Sequence, residues 1–292
     1  MKNVVVVGGS GGLGNAVVSA LLDRNYQVVV AGRKPASDHR VADFYAIEAA
    51  RADWTALYES IESRERGTGA PADAVIFVAG TAVYGKAGEI PEESARQTLE
   101  LNFWACTAAA QAAAEYWKER HKPGKFLAVL SIVARLGVPF EAHYSASKAA
   151  TARFLECLDL EYGGSNIHFL SAYPGMLKTP FRSRAEWYGL EPSRCEAGTE
   201  PADTAEALVA LLEGRRWSSV IGWRERAIDL AERFCPGLYN RLIQRGRVKK
   251  LLESEAESGV QALARRGPTP VTLELAESKQ PTAEPSRQTY SI

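Results

Sequence analysis

Cysteine is scarce in this chain of 292 residues, with only Cys106, Cys157, Cys195 and Cys235, and no C-x-x-C spacing among them. That excludes a disulfide framework and a thiolate zinc site, and suits buried thiols in a reducing compartment. Histidine is as sparse: His39, His121, His143 and His168 form no H-x-x-x-H pair, so no metal centre is expected. An excess of either charge is missing too, since 35 basic residues balance 35 acidic ones, which removes any whole-molecule argument for nucleic acid. No apolar run approaches the ~20 residues of a spanning helix. Met1-Lys2-Asn3 leads straight into a strand-like run, without the pattern of a cleavable leader. No fixed-period repeat is present. The remaining composition, 46% apolar and 24% charged, is that of an ordinary globular protein, expected in the cytoplasm.

Glycine, in contrast, is concentrated. In VVVVGGSGGLGNAVVSALL, Val4–Val7 supply a buried strand, and Leu13, Val17, Val18, Leu21 and Leu22 recur as one helix face. Between them Gly8, Gly9, Gly11, Gly12 and Gly14 leave a backbone almost bare of side chains. A glycine turn feeding a helix N-terminus offers unpaired N–H groups and the positive end of the helix dipole to an anion such as a pyrophosphate. A tight strand–helix turn packed on itself would read the same way, so the rest of the chain decides.

Short apolar runs alternate with helical patterns, which predicts βαβ units and a Rossmann-like, doubly wound parallel α/β sheet with ligands at the strands' carboxyl ends. Strands are expected near Asn3–Val7, Gln27–Ala31, Asp43–Ile47, Ala74–Val78, Lys125–Ser131, Ile167–Ala172 and Ser219–Ile221. Helices are expected over Leu13–Arg24, Trp54–Arg64, Glu92–Glu119, Tyr144–Tyr162 and Pro201–Leu212. The organisation follows as one sheet domain over 1–222, a net-positive helical appendage over 223–266 interrupted at Cys235-Pro236-Gly237, and a Pro-, Ser- and Glu-containing tail over 267–292 expected to be disordered.

In HYSASKAATARFL, Tyr144 and Lys148 stand one turn apart on one helix face. A phenol is a poor acid or base at neutral pH, and an ammonium beside it stabilises the phenolate. Ser131 closes the strand run KFLAVLS, Asn102 interrupts a long helical pattern, and Pro174-Gly175 with Thr179 follows another strand. With these in order, the sequence resembles the short-chain dehydrogenase/reductases, in the branch with a Gly-x-x-x-Gly-x-Gly loop, here Gly8, Gly12 and Gly14. The likeness covers roughly Met1 to Gly222. It implies a catalytic tetrad of Asn102, Ser131, Tyr144 and Lys148, and a cofactor site of Gly8, Ser10, Gly11, Gly12, Leu13, Gly14, Arg33, Asp53, Ala79, Gly80, Tyr144, Lys148, Pro174, Gly175 and Thr179. It implies that Tyr144 donates or accepts the proton, Lys148 tunes it and holds the nicotinamide ribose, Ser131 binds the substrate oxygen, and Asn102 positions a water. His143 is assigned no role.

Two departures from the family pattern remove polar braces: Val7 replaces a threonine, and Phe77-Val78-Ala79-Gly80 replaces Asn-Asn-Ala-Gly. The second strand ends in Gly32-Arg33, a glycine where an NAD site carries an acid and then a cation suited to a 2′-phosphate, so NADP(H) is expected over NAD(H). Asp53 reads either as an adenine contact or as a helix N-cap. After the Pro-Gly motif, Phe181, Trp187, Tyr188 and Leu190 offer apolar surface, while Arg182 and Arg184 could meet an acidic group. The expected activity is an NADP(H)-dependent ketoreductase that interconverts a ketone or aldehyde and an alcohol. The alternatives are an inactive nucleotide-binding scaffold and a lipid ketone reductase at a membrane surface. A homodimer or homotetramer is expected, with Ala152, Leu155 and Leu158 at its interface. Within 238–252, Leu238, Leu242, Val248, Leu251 and Leu252 beside Arg241, Arg245, Lys249 and Lys250 could form a membrane-facing or, preferably, a packed face.

Overall fold

The valine runs become strands covered on both sides, because successive side chains of a strand point to opposite faces. The computed structural model describes residues 2–63, 68–190, 198–243 and 245, all within one compact unit, Met1–Arg245. The expectations for 244, for 246–266 with Val248–Leu252 among them, and for the tail 267–292 lie outside the described residues. Seven strands form the main sheet: β1 (Asn3–Val7), β2 (Gln27–Gly32), β3 (Asp43–Ala46), β4 (Ala74–Phe77), β6 (Gly124–Val129), β7 (Ile167–Pro174) and β9 (Ser218–Ile221). They are parallel throughout in the order β3-β2-β1-β4-β6-β7-β9, which is a Rossmann-like α/β sheet. The order reverses between β1 and β4, the point at which parallel sheets of this kind take ligands at the strands' carboxyl ends.

Val5, Val7, Val29, Val75, Phe77 and Phe126 face one core layer, covered by α2 (Trp54–Glu62), α4 (Ala105–Glu119) and α5 (Ala142–Glu161). Val4, Val6, Val28, Val30, Ile76 and Leu127 face the other, covered by α1 (Gly12–Leu22) and α6 (Pro201–Glu213). Full burial of each such side chain is worth about 2 kcal/mol, so the alternation fixes the register of the sheet. The departures at Val7 and Phe77 fit this scheme. Phe77 stacks obliquely among Trp54 and Phe126, and the Val7 carbonyl accepts from both Val78 N at 2.9 Å and Ala79 N at 3.0 Å. Apolar packing and a shared main-chain acceptor thus hold the β1–β4 junction where the family pattern has polar side chains.

Three features differ from the sequence expectation. The helix over Glu92–Glu119 is α3 (Glu92–Leu99) and α4 joined through a π-turn at Glu100–Trp104. A second small sheet pairs β5 (Val83–Gly85) with β8 (Glu186–Tyr188), both too short to show periodicity. Finally, Leu155 and Leu158, expected at a subunit interface, lie elsewhere. They are buried in the chain's own core, while α5 exposes Ala146, Ala150, Arg153, Cys157 and Leu160. The appendage begins with α7 (Trp223–Phe234) and α8 (Pro236–Ile243), broken at Cys235. Tyr239 Oη donates to the Gly137 carbonyl at 3.3 Å, tying α8 to the body.

Candidate active site

The residues singled out in the sequence gather at the carboxyl ends of the sheet. Gly8 leaves β1 with φ of +87°, and a Cβ there would stand 2.7 Å from Ala79 N. A Cβ on Gly14 would collide with the Gly8 carbonyl oxygen, so both positions exclude any side chain. Gly11 is the N-cap of α1 without a side-chain cap, and the first turn carries no acid, which leaves its N–H groups for a ligand. Ser10 and Gly12 are part-exposed on this loop, and Leu13 turns into the core. Thr179 meets the loop from β7, since a Cβ on Gly12 would stand 2.9 Å from its methyl carbon. Asn15, which the sequence reading passed over, ties the loop to the segment after β2: its Nδ2 donates to Ser10 O at 3.0 Å, and its Oδ1 accepts from Ser37 N at 2.8 Å. Arg33 stands exposed at the end of β2. Asp53 Oδ1 accepts from Ala56 N at 3.0 Å and so caps α2.

Ser131 stands two residues past β6, where its Oγ accepts from Val133 N at 3.4 Å and caps a short 3-10 turn over Ile132–Ala134, and Tyr144 and Lys148 project from the first turns of α5. Burial and the neighbouring Tyr84 push the Tyr144 hydroxyl well above the ordinary phenol value, and Ser131 close by pulls the other way. Lys148 is 4% exposed; its Nζ donates to the Val129 carbonyl at 3.2 Å, and burial lowers its pKa to about 8. A Cβ on Gly80 would stand 3.2 Å from that Nζ and 3.0 Å from Asn102 Oδ1, so the bare backbone of Gly80 lies beside both.

Asn102 sits in the π-turn, where one extra residue per turn rotates it toward α5. Its Nδ2 donates to Thr81 O at 2.8 Å and Ser147 Oγ at 2.9 Å, and its Oδ1 accepts from Thr81 N at 2.9 Å. Ser147 Oγ donates to the Tyr144 carbonyl at 2.7 Å, and the Thr151 hydroxyl lies 2.9 Å from the Asn102 carbonyl. Asn102 is therefore a buried clamp between the β4 exit and the tyrosine helix, with most of its hydrogen-bonding capacity used there. No periodicity in the sequence announces Thr81, Ser147 or Thr151 as its partners.

Aromatic rings roof the phenol. Tyr144 lies 6.3 Å from Tyr84 and 6.0 Å from Phe181, and Tyr84 stacks on Trp187 at 4.4 Å. The β5–β8 pairing sets these rings side by side. Arg182 does not wait for an acidic substrate: its guanidinium lies over Tyr84 at 4.4 Å and pairs with buried Glu141 at 3.6 Å. Arg184 is exposed, and Tyr188 and Leu190 are part-buried. His143 is half-buried with Nε2 lacking a partner among the described residues. Pro174 is buried at the end of β7, and Glu225 of α7 fills the space a Cβ on Gly175 would take.

The chain is 26% identical over 190 residues to mouse 3-ketodihydrosphingosine reductase, and 30% identical over 186 residues to an uncharacterized oxidoreductase of Myxococcus xanthus. These matches cover 61% of this chain in both cases, but 57% of the mouse protein and 73% of the bacterial one. The chain thus spans little more than half of the mouse relative's length. Among solved structures, a short chain dehydrogenase of Burkholderia cenocepacia in complex with NADP superposes with a TM-score of 0.71 at 24% identity, over 83% of this chain and 99% of that one. An alcohol dehydrogenase of Thermococcus sibiricus complexed with 5-hydroxy-NADP gives 0.63 at 22% identity, over 76% and 96%. Both carry the fold. A family model for short chain dehydrogenases matches residues 2–187, a span that takes in the glycine loop, Ser131 and the Tyr144–Lys148 helix, and on that match the chain belongs to the short-chain dehydrogenase/reductase family of oxidoreductases.

Proposed function

We propose that the protein is an NADP(H)-dependent carbonyl reductase that interconverts an apolar ketone or aldehyde and its alcohol. The observation that carries this reading is the buried phenol of Tyr144, next to Ser131 and one helical turn before Lys148, whose ammonium lies beside Gly80 at the β4 exit. The residues present fit a nicotinamide dinucleotide. Gly8 and Gly14 keep the loop bare, the α1 N-terminus would offer its N–H groups to the pyrophosphate, and Arg33, exposed just past β2, would pair with a 2′-phosphate. Asp53, which caps α2, would contact the adenine, Ala79 and Gly80 would border the cofactor at the β4 exit, and Thr179, packed against Gly12, would hold the nicotinamide side. When bound, the cofactor supplies the hydride.

The chain's own part is proton delivery and orientation. Burial keeps Tyr144 protonated, as a donor to a carbonyl oxygen must be. Ser131 would hold that oxygen as charge develops on it, and Lys148 would steady the phenolate left behind. Asn102 acts as a positioning residue through Thr81 and Ser147. The roof of Tyr84, Phe181 and Trp187 selects apolar substrates, and the mouse relative is named for the reduction of 3-ketodihydrosphingosine. A homo-oligomer would use the face where Phe103 meets Phe154 edge-on and Trp104 is 58% exposed.

The test is NADPH consumption over a panel of aromatic diketones, quinones and long-chain 3-keto compounds, with Tyr144→Phe as the control. Removing only the hydroxyl should leave NADPH binding intact and slow reduction by about two orders of magnitude or more. Parental turnover by Tyr144→Phe would refute the proton assignment. Tight NADPH binding with no ketone reduced would instead favour a nucleotide-binding scaffold.

A further inference from the structure

Helix α7 is built inside out. Its acids Glu225, Asp229 and Glu232 recur every three or four positions and face the body of the protein. Asp229 is buried and takes Arg135 in a bidentate pair at 2.5 and 3.0 Å, while the Glu225 carboxylate fills the space beside Gly175 and Gly222. The opposite row, Trp223, Ala227, Leu230 and Phe234, repeats at i, i+4, i+7 and i+11 and is turned outward, with Trp223 75%, Leu230 51% and Phe234 79% exposed. A surface helix ordinarily does the reverse. Leu238, early in α8, is exposed as well.

The flanks of the stripe say what covers it. Arg224, Arg226 and Arg233 are all exposed, and none of them pairs with a carboxylate among the described residues. Arg226 Nε donates to the Val220 carbonyl at 2.9 Å and keeps its charge. The acids of the helix are turned away, so this face shows apolar side chains bordered by cations. A second copy of the chain docking here through a two-fold axis would set arginine rows against each other. An anionic bilayer surface matches both elements: Trp and Phe seat at the headgroup–acyl boundary, and arginines meet lipid phosphates.

We propose that α7 is an interfacial anchor, which lays its Trp223–Leu230–Phe234 face into the surface of an anionic membrane. It stands independently of the reductase reading. The test is co-sedimentation of the full chain with vesicles of phosphatidylcholine alone and of equimolar phosphatidylcholine and phosphatidylglycerol. The parent should bind the mixed vesicles, bind phosphatidylcholine weakly, and release as salt rises. Phe234→Ser and Trp223→Ser, both at exposed positions and checked for unchanged melting, should each lower partitioning by about tenfold or more. Arg224→Glu and Arg233→Glu should each lower it by about fivefold or more. Failure of the parent to bind mixed vesicles overturns the proposal, as does parental binding by the variants. A fall in oligomeric mass on Phe234→Ser, with vesicle binding retained, would assign the face to a second copy and overturn it equally.

Discussion

Lys148 holds an ammonium at a position 4% exposed, with the Val129 carbonyl as its hydrogen-bond acceptor. Burial draws its pKa from 10.5 to about 8, so at neutral pH the folded state carries a charge it would rather not have. At 1.36 kcal/mol per pKa unit, that penalty is about 3 kcal/mol. Lys148→Met keeps the length of the stem and removes the charge. Leaving the Val129 carbonyl without its donor costs about 1 kcal/mol, so the variant should be more stable than the parent by about 2 kcal/mol at neutral pH. The sign of the pH dependence follows from the depression. Between about 8 and 10.5 the unfolded chain binds the proton that the folded chain has released, so parental stability rises with pH through that window. Below the window the penalty is fully in place. The variant lacks this dependence, and urea unfolding of both proteins near pH 7 and again near pH 9.5 should show the gap closing. Taking the difference between the two proteins cancels the titrating groups distant from Lys148. The variant should also lose carbonyl reduction, so stability and activity would move in opposite directions. A variant less stable than its parent near pH 7, or a gap that does not change with pH, would refute the reasoning.

Two further outcomes are expected. Arg33→Ser should weaken NADPH binding by roughly tenfold to a hundredfold, the range for losing a charge-assisted contact to a phosphate, and leave NADH unchanged in fluorescence titrations; an equal loss for both would remove Arg33 from the site. Trp104→Lys should shift the mass measured by light scattering toward the monomer without lowering the melting temperature, because the indole is 58% exposed in the single chain.

The sheet was legible because its signals are local. Val4–Val7 alternate between two cores and have to be covered on both faces, and the glycine loop that follows cannot carry Cβ atoms at Gly8 or Gly14. The same locality made Tyr144, Lys148 and Ser131 easy to find, each at the start of a helix or the end of a strand. Contacts that close only in three dimensions were not legible. The π-turn at Glu100–Trp104 has no composition of its own, and it exists so that Asn102 can reach Thr81 and Ser147, 21 and 45 residues away in sequence. Arg182 and Glu141 look like free surface charges until β5 and β8 pair and set Tyr84 beside Trp187. Leu155 and Leu158 are apolar enough for either an interface or a core, and only the packing of α5 on the sheet decides for the core.

The appendage shows the limit most clearly, because there the hydrophobic pattern alone gives the wrong facing. Trp223, Ala227, Leu230 and Phe234 form a stripe that would ordinarily be packed inward. What turns it outward is demand from the other side. Arg135, lying over Tyr173 just past Ser131, needs a carboxylate, and the bare backbones of Gly175 and Gly222 leave room for one more. Asp229 and Glu225 answer both, and a rigid helix that presents its acids inward has no choice but to present its apolar row outward. The ion pair that steadies the wall behind the candidate active site thus also creates the exposed surface, and a substitution that frees α7 to roll over would bury the stripe and unseat Arg135 together.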